Sequence, residues 1–225
     1  MKLKSAAAGL VIASLGFAST ANATTTLTFV GLQDQEPILN YYNGGSGGFG
    51  SGPGPNYGIT FGADSLAIIS TDDGGTGSFN GAPYDTIAFF LSGSGDIMNV
   101  ASGFTTGFSF YCSAPDVPGS VMVWSGLNGT GTELADITLA TTPQGGTGCN
   151  ASYCPWVASG VTFSGTAESV DFIGSADAIG FSAVTLGSAT PVIPEPLTWA
   201  MMLVSFACLR FAGYRAKRKD IALVA

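Results

Sequence analysis

The stretch FTTGFSFYC, residues 104–112, carries the pattern that decides the fold of this chain. Apolar residues recur at its even positions: Phe104, Phe108, Phe110 and Cys112. Small or hydroxyl-bearing residues fall between them. Successive side chains of a β-strand point to opposite faces, so this alternation predicts a strand with one buried face and one solvated face.

Nine similar short runs surround this stretch, separated by Gly, Pro, Asn and Asp. They are residues 26–32, 57–61, 65–70, 86–91, 120–124, 134–139, 156–164, 169–173 and 178–186. Helix signals are almost absent between residues 24 and 190. About ten short strands with Gly-rich turns and no intervening helices predict an all-β, antiparallel sandwich or barrel.

Charge is distributed unevenly along the chain. The seven Lys and Arg residues lie near its two ends, whereas residues 24–193 contain thirteen Asp and Glu and no Lys, Arg or His. Nucleic-acid binding needs cations that neutralise phosphates, and phosphoryl transfer needs a Lys or Arg clamp. Without His, Ser-His-Asp or Cys-His catalysis and imidazole metal sites are excluded as well. Carboxylate chemistry, carboxylate-bound Ca²⁺ or no chemistry remain.

The first 23 residues are typical of a secretory signal peptide. Lys2 and Lys4 precede an apolar run at residues 6–18, and Ala21-Asn22-Ala23 supplies a small-residue cleavage site. The apolar run is shorter than the roughly 20 residues of a transmembrane helix. We therefore predict that residues 1–23 are removed and that residues 24–190 form one exported domain.

The last 35 residues combine three features in order. Prolines keep residues 191–196 (PVIPEP) extended. Residues 197–214 are largely apolar and predict a transmembrane helix. A basic cluster follows: Arg215, Lys217, Arg218 and Lys219. By the positive-inside rule, this cluster and the tail at residues 220–225 lie in the cytoplasm, and the preceding domain lies outside.

This order resembles the C-terminal sorting signal of PEP-CTERM proteins, with Pro194, Glu195 and Pro196 as the name-giving motif. The resemblance makes residues 191–219 a sorting signal and implies a Gram-negative bacterium that makes extracellular polysaccharide. It also implies a membrane enzyme, an exosortase, that binds the motif, cleaves near it and releases or transfers the exported domain. The helix would anchor the protein in the membrane until then.

The exported segment resembles other PEP-CTERM ectodomains at residues 28–32 (TFVGL), 40–45 (NYYNGG) and 179–186 (IGFSAVTL). Such ectodomains look like jelly-roll sandwiches related to carbohydrate-binding modules. The resemblance therefore implies a single jelly-roll-like antiparallel β-sandwich and contact with carbohydrate. In those modules a structural Ca²⁺ often uses acids on the first and last strands. Val30 and Ser182 stand at those positions here, so we carry over no calcium site.

Three cysteines fall in the exported segment. Cys149 and Cys154 lie close together in a polar loop, and in an oxidising compartment they predict a small disulfide. A metal or redox pair is the alternative, but no further ligands lie nearby in sequence. Cys112 is expected to be a buried free thiol, with pairing to one of the other two as its alternative.

Acidic residues are the only candidates for a metal or catalytic site. Asp72 and Asp73 precede two glycines, a turn that permits Ca²⁺ coordination. Asp-Gly is also an ordinary turn signal, and an EF-hand-like spacing is missing, so we predict no metal and no other cofactor. A glycosidase would need two carboxylates about 5–10 Å apart, and the sequence places no such pair.

Residues 43–58 contain eight glycines and predict a flexible surface loop. A phosphate cradle is disfavoured because no strand–loop–helix order and no Lys accompany these glycines. Five aromatic residues near this loop or near the cysteine pair are candidates for stacking on sugars: Tyr41, Tyr42, Tyr57, Tyr153 and Trp156. Packing within the domain is the alternative for each ring.

These features predict an exported, non-enzymatic protein of the cell surface or exopolysaccharide matrix, whose domain contacts carbohydrate. A purely structural surface protein without a ligand is the second interpretation, and a carboxylate-dependent glycosidase is the third. The expected partners are an exosortase, the membrane and extracellular polysaccharide. Nucleic acid is not an expected partner, because the exported segment lacks cations.

Overall fold

The computed structural model describes residues 24–90, 96–173 and 176–193. They form twelve strands and one 3-10 turn at Thr71–Asp73. The strands are β1 (Thr25–Leu27), β2 (Glu36–Pro37), β3 (Ile59–Phe61), β4 (Ser65–Ile69), β5 (Thr86–Phe90), β6 (Ile97–Phe104), β7 (Gly107–Ser113), β8 (Gly119–Gly126), β9 (Thr130–Leu139), β10 (Val157–Thr162), β11 (Ala167–Asp171) and β12 (Gly180–Leu186).

The predicted targeting segments lie outside the described residues. They are the signal peptide at residues 1–23, the motif Pro194-Glu195-Pro196, the helix at residues 197–214 and the basic cluster. Within the part of the chain that the structure describes, no helix is long and apolar enough to cross a membrane.

The strands form two antiparallel sheets. The first has seven strands in the order β10-β7-β12-β5-β4-β2, with β1 pairing beside the second half of β12. The second has five strands in the order β3-β6-β11-β8-β9. Buried side chains of both sheets form one core between them. Its largest fully buried side chains are six phenylalanines: Phe29, Phe90, Phe108, Phe110, Phe172 and Phe181. The prediction of an all-β, antiparallel fold is confirmed.

Residues 104–112 do not form one strand, so that prediction was wrong. Phe104 ends β6 in the five-stranded sheet, and Gly107 begins β7 in the seven-stranded sheet. Between them Thr106 has a φ of 75°, and its hydroxyl donates to the carbonyl oxygen of Gly187 at 2.8 Å. The chain therefore passes from one sheet to the other here. The apolar alternation continues because both strands direct their apolar side chains into the same core.

The outer face of β7 is not solvated, contrary to the prediction. Residues 188–192, here called the C-terminal strap, lie over it, and Ser109 donates its hydroxyl hydrogen to the Ser188 carbonyl oxygen at 2.8 Å. Gly160 on β10 makes room for the strap, because a Cβ there would overlap the carbonyl oxygen of Ala189. The Val192 amide donates to Thr185 Oγ1 at 3.2 Å. The chain is thus held on the domain to within two residues of Pro194.

The Gly-rich segment at residues 43–58 is tied down rather than free. Glu36, fully buried on β2, accepts hydrogen bonds at Oε1 from the amides of Phe49 (2.8 Å) and Ser51 (3.0 Å). Its Oε2 accepts from the Gln33 amide at 2.7 Å. Burial by itself raises the pKa of the Glu36 carboxyl. These three hydrogen bonds and one from the Ser51 hydroxyl together lower the pKa by more than burial raises it, so the net pKa lies below the ordinary value. The sequence predicted a flexible loop because it does not show that Glu36 is buried and accepts hydrogen bonds from this segment.

Candidate functional site

The outer face of strands β4 and β5 carries a second apolar cluster, separate from the main core. It consists of Ile68, Ile87, Phe89 and Phe79. Neighbouring residues on the same strands, such as Ala67 and Phe90, belong to the main core instead. Both strands are therefore apolar on both faces. An apolar outer face must be covered or must bind something, because leaving it in water costs free energy.

Two loops cover this face in part. The loop after the 3-10 turn brings in Ser78 and Phe79, and the loop before β10 brings in Tyr153 and Trp156. The Tyr153 amide donates to the Ser78 carbonyl oxygen at 2.9 Å, which joins the two loops. Phe79 and Trp156 meet edge to face at 5.9 Å. Phe89 and Tyr153 do the same at 5.4 Å, so the strand supports the Tyr153 ring.

A disulfide closes the second loop. Cys149 and Cys154 are bonded to each other, with their Cα atoms 5.5 Å apart. Nearby, the side-chain amide of Asn80 donates to the Gly148 carbonyl oxygen at 2.6 Å. A small ring of this kind restricts the loop in the unfolded chain and fixes the position of Tyr153 next to it. Cys112 is buried with a free thiol, and burial raises its pKa to about 11, so it stays protonated and unreactive at neutral pH.

Between these loops and the sheet lies a crevice of about 300 Å³, here called the aromatic crevice. Its floor and walls are apolar: Ile68, Ile87, Phe79, Phe89 and Tyr153. Its rim is polar: Gln35, Thr76, Ser78 and Asp177. Gln35 donates its side-chain amide to Thr76 Oγ1 at 3.0 Å, which links two sides of the rim. A crevice of this size and lining is typical of a small-ligand site.

The lining limits the chemistry of the crevice. Asp177 is the one acidic residue among the described lining residues, and residues 24–193 contain no cation. Burial raises the pKa of Tyr153, and the charges of Asp177 and Asp116 add to this, so its hydroxyl stays neutral. One carboxylate cannot supply the acid and base pair of a glycosidase. The lining suits a neutral ligand with apolar faces and many hydroxyl groups.

The five predicted aromatic residues do not come together. Tyr153 lines the aromatic crevice. Trp156 packs against Phe79, which also lines the crevice. Tyr41 and Tyr42 are only 8% and 2% exposed, so the prediction that they stack on sugars was wrong. Their hydroxyl groups are used inside the domain: Tyr41 donates to the Val30 carbonyl oxygen, and Tyr42 accepts from the Phe29 amide. Tyr57 is 44% exposed but does not line the aromatic crevice.

The acidic pair Asp72-Asp73 lies exposed in the 3-10 turn. Ser70 begins this turn, and its hydroxyl accepts from the Asp72 amide at 3.3 Å. Gly74 ends it with a φ of 87°, a conformation that favours glycine. Among the described residues, no three Asp, Glu, His or Cys side chains are grouped so that they could hold a metal ion. The Asp-Gly pattern here is accounted for by turn geometry.

A buried carboxyl group, Asp96, was not singled out by the sequence. It is 7% exposed, and no described residue hydrogen-bonds to its Oδ2. Burial raises its pKa to about 6; a hydrogen bond from the Ile97 amide opposes this, and the charges of Asp64 and Asp171 add to it. Asp96 does not line the aromatic crevice. Its effect is therefore on stability, not on that site.

No family model and no curated protein matches this chain. A solved family 6 carbohydrate-binding module is 15% identical, with a TM-score of 0.36 over 57% of this chain and 86% of that one. The family 6 module of Cellvibrio mixtus lichenase 5A, in complex with cellotriose, is 12% identical, with a TM-score of 0.36 over 56% and 88%. The K3 adhesin domain of Porphyromonas gingivalis Lys-gingipain is 15% identical, with a TM-score of 0.35 over 56% and 93%. Similarities this weak decide neither the fold nor the function of this chain, which rest on its own residues.

Proposed function

We propose that this protein is an exported, non-enzymatic component of the cell surface or exopolysaccharide matrix, whose jelly-roll-like domain contacts neutral polysaccharide. The observation that carries the proposal is the aromatic crevice. It combines ring faces, an apolar floor and a hydrogen-bonding rim in about 300 Å³. Sugar rings present apolar C–H faces and peripheral hydroxyl groups, and this lining complements both.

Tyr153 is the central contact of this proposal. Its ring is half-buried and held edge to face against Phe89, so little conformational entropy is lost when a sugar packs on it. Gln35 and Asp177 on the rim supply the donors and acceptors that sugar hydroxyl groups need. A charged, anionic polysaccharide is disfavoured, because thirteen carboxylates and no cations occupy residues 24–193.

The targeting part of the proposal is that an exosortase processes the motif Pro194-Glu195-Pro196 and that the helix at residues 197–214 holds the protein in the membrane until then. Thr25 pairs with Leu186, so both ends of the domain leave at the same end of β12. The aromatic crevice lies at the other end, where Gly180 makes room for the Trp156 ring. Six residues of strand separate the two ends by about 20 Å. A domain tethered by its C-terminus would therefore present the crevice away from the membrane.

Replacing Tyr153 with Ala is expected to weaken polysaccharide binding roughly thirtyfold, since loss of a supported aromatic contact costs about 2 kcal/mol. Binding would be measured by affinity electrophoresis with dextran, a soluble β-1,3-glucan, a soluble β-1,4-glucan and the exopolysaccharide of the host. Tyr153→Phe should bind almost as well as the wild type, because it keeps the ring.

Phe49→Ala is the matched control, because Phe49 is 59% exposed but does not line the crevice. Equal binding by the wild type and Tyr153→Ala would contradict the proposal. A wild-type protein that retains none of the four polysaccharides would favour the purely structural interpretation. Release of reducing ends would favour the glycosidase instead.

The sorting part is tested by the intact mass of the protein isolated from its host. The wild type is expected to lack residues 1–23 and the segment after the motif. Replacing Pro194, Glu195 and Pro196 with Ala should leave that segment attached, because the extended recognition segment is lost. A retained C-terminal segment in both proteins would rule out exosortase processing and leave an ordinary membrane anchor.

A further inference from the structure

A second crevice lies at the end of the sandwich where both chain ends leave. Its volume is about 350 Å³, and we call it the terminal crevice. Residues of both sheets line it, among them Thr25, Tyr57, Ile59, Ser102, Thr166 and Leu186. Ile59 belongs to β3 of the five-stranded sheet and Leu186 to β12 of the seven-stranded sheet. The crevice is therefore an opening between the sheets and not a pit on one face.

The lining of the terminal crevice is mixed. Ile59 and Leu186 are buried and form an apolar floor. Thr25, Ser102 and Thr166 place hydroxyl groups around that floor. No described residue that lines this crevice is charged. An acyl chain bound here would leave the hydroxyl groups without partners, which is costly, whereas a sugar could use them as donors and acceptors.

Tyr57 supplies an exposed ring at this crevice. The ring is stacked on Tyr42, with centroids 6.1 Å apart and planes inclined by 14°. Tyr42 is itself buried, and its carbonyl oxygen accepts from the Tyr57 amide at 2.8 Å. The Tyr57 ring is thus held in place before any ligand arrives. A supported, partly exposed aromatic ring is an efficient contact, because little side-chain entropy is lost on binding.

We propose that the terminal crevice is a second binding place for neutral polysaccharide, with Tyr57 as its platform, and that the domain bridges two polysaccharide segments. This inference rests on the function proposed for the aromatic crevice and extends it from one contact to two. The crevices lie at opposite ends of β12, about 20 Å apart along the strand. A short oligosaccharide fills one of them, whereas a long polymer or two polymers can occupy both. Two such sites raise the avidity and allow cross-linking.

The test compares binding with cross-linking in the same samples. The probe is the polysaccharide of the four-member panel that the wild type binds best. Affinity electrophoresis reports binding, and light scattering of the polymer at increasing protein concentration reports cross-linking. The proteins are the wild type, Tyr57→Ala, Tyr153→Ala and the double variant. Sedimentation of each protein without polymer establishes whether it is monomeric, since a dimer would cross-link through one site per chain.

The wild type is expected to cross-link as a monomer. Each single variant should still bind, Tyr153→Ala about thirtyfold and Tyr57→Ala about tenfold more weakly than the wild type, and each should lose cross-linking; the double variant should not bind. Tyr57→Ala also removes a packing partner of Tyr42, so Ser102→Gln provides a second variant: Ser102 is exposed, and a longer side chain there occupies the crevice while both tyrosines are kept. It should also lose cross-linking at unchanged thermal stability.

The two hypotheses fail in different ways. If Tyr57→Ala and Ser102→Gln cross-link like the wild type while Tyr153→Ala weakens binding, the second site is overturned and the proposed function stands. If a wild-type dimer accounts for the cross-linking, the second site is overturned as well. If the wild type binds none of the polysaccharides, or if the double variant binds like the wild type, both are overturned together.

Discussion

Replacing Glu36 with Gln is expected to lower the free energy of unfolding by about 3 kcal/mol at neutral pH. The buried carboxylate accepts the amides of Gln33, Phe49 and Ser51. A carboxamide has the same shape but offers one acceptor atom in place of two. Its NH₂ group would face at least one backbone N–H, and that donor would be left buried without a partner.

The measurement is urea unfolding of the wild type and of Glu36→Gln, followed by Trp fluorescence. Glu133→Gln is the matched control, because Glu133 is exposed on β9 and the same substitution there should change stability by less than about 0.5 kcal/mol. Limited proteolysis should also cut the variant within residues 43–58, since two anchors of that segment are the Phe49 and Ser51 amides. Equal stability of the two variants would contradict the role assigned to Glu36.

The pKa of Glu36 determines how its contribution to the free energy of unfolding changes with pH. Its folded-state pKa is below the ordinary value of 4.5, so the ionised group stabilises the folded state. This contribution is fully present above about pH 4.5 and is lost as the pH falls through the folded-state pKa. The wild type should therefore lose stability in acid, and Glu36→Gln should lose less of it.

Replacing Asp96 with Asn is expected to raise the free energy of unfolding by about 2 kcal/mol above pH 6. The Asp96 carboxyl is 7% exposed, and burial raises its pKa to about 6 from an ordinary 3.8. Stability from this group is fully present below about pH 3.8 and is lost as the pH rises through 6, because the buried group must then ionise. Asn retains a carbonyl oxygen for the Ile97 amide and carries no charge.

Thermal unfolding between about pH 4 and pH 8 tests this prediction. The wild type should lose stability as the pH rises through 6, and Asp96→Asn should not. Asp73→Asn serves as the control, because Asp73 is exposed in the 3-10 turn and the same substitution there should change stability by less than about 0.5 kcal/mol. A destabilised Asp96→Asn protein above pH 6 would show that the carboxylate has a stabilising partner and that the burial argument is wrong.

Glu36 and Asp96 illustrate why charge alone does not predict the role of an acid. The sequence places Glu36 beside Asp34 in an early loop and does not distinguish it from the other carboxylates. In the fold, three amides converge on Glu36, whereas one amide among the described residues, that of Ile69, donates to the Asp34 side chain, at 2.8 Å. Those amides come from residues up to fifteen positions away, and their convergence is a property of the folded chain.

The aromatic residues show the same division for the candidate site. Tyr153 and Trp156 were predicted from composition, and they do lie at or beside the aromatic crevice. The crevice itself was not predictable, because its floor comes from β4 and β5, more than sixty residues earlier in the chain. The apolar run at residues 86–90 was the available signal. A strand that is apolar on both faces needs cover on both, and here the second cover is incomplete.

The sequence by itself determined the antiparallel all-β class and the absence of cations from residues 24–193, because periodicity, turn residues and charge are local properties of a chain. It also determined that Cys149 and Cys154 were close enough to pair. Only the tertiary structure decided that residues 104–112 turn from one sheet to the other, and that the C-terminal strap covers β7. It also decided which tyrosines are buried. Each of these depends on contacts between residues far apart in sequence, and such contacts form only when the two sheets close around their common core.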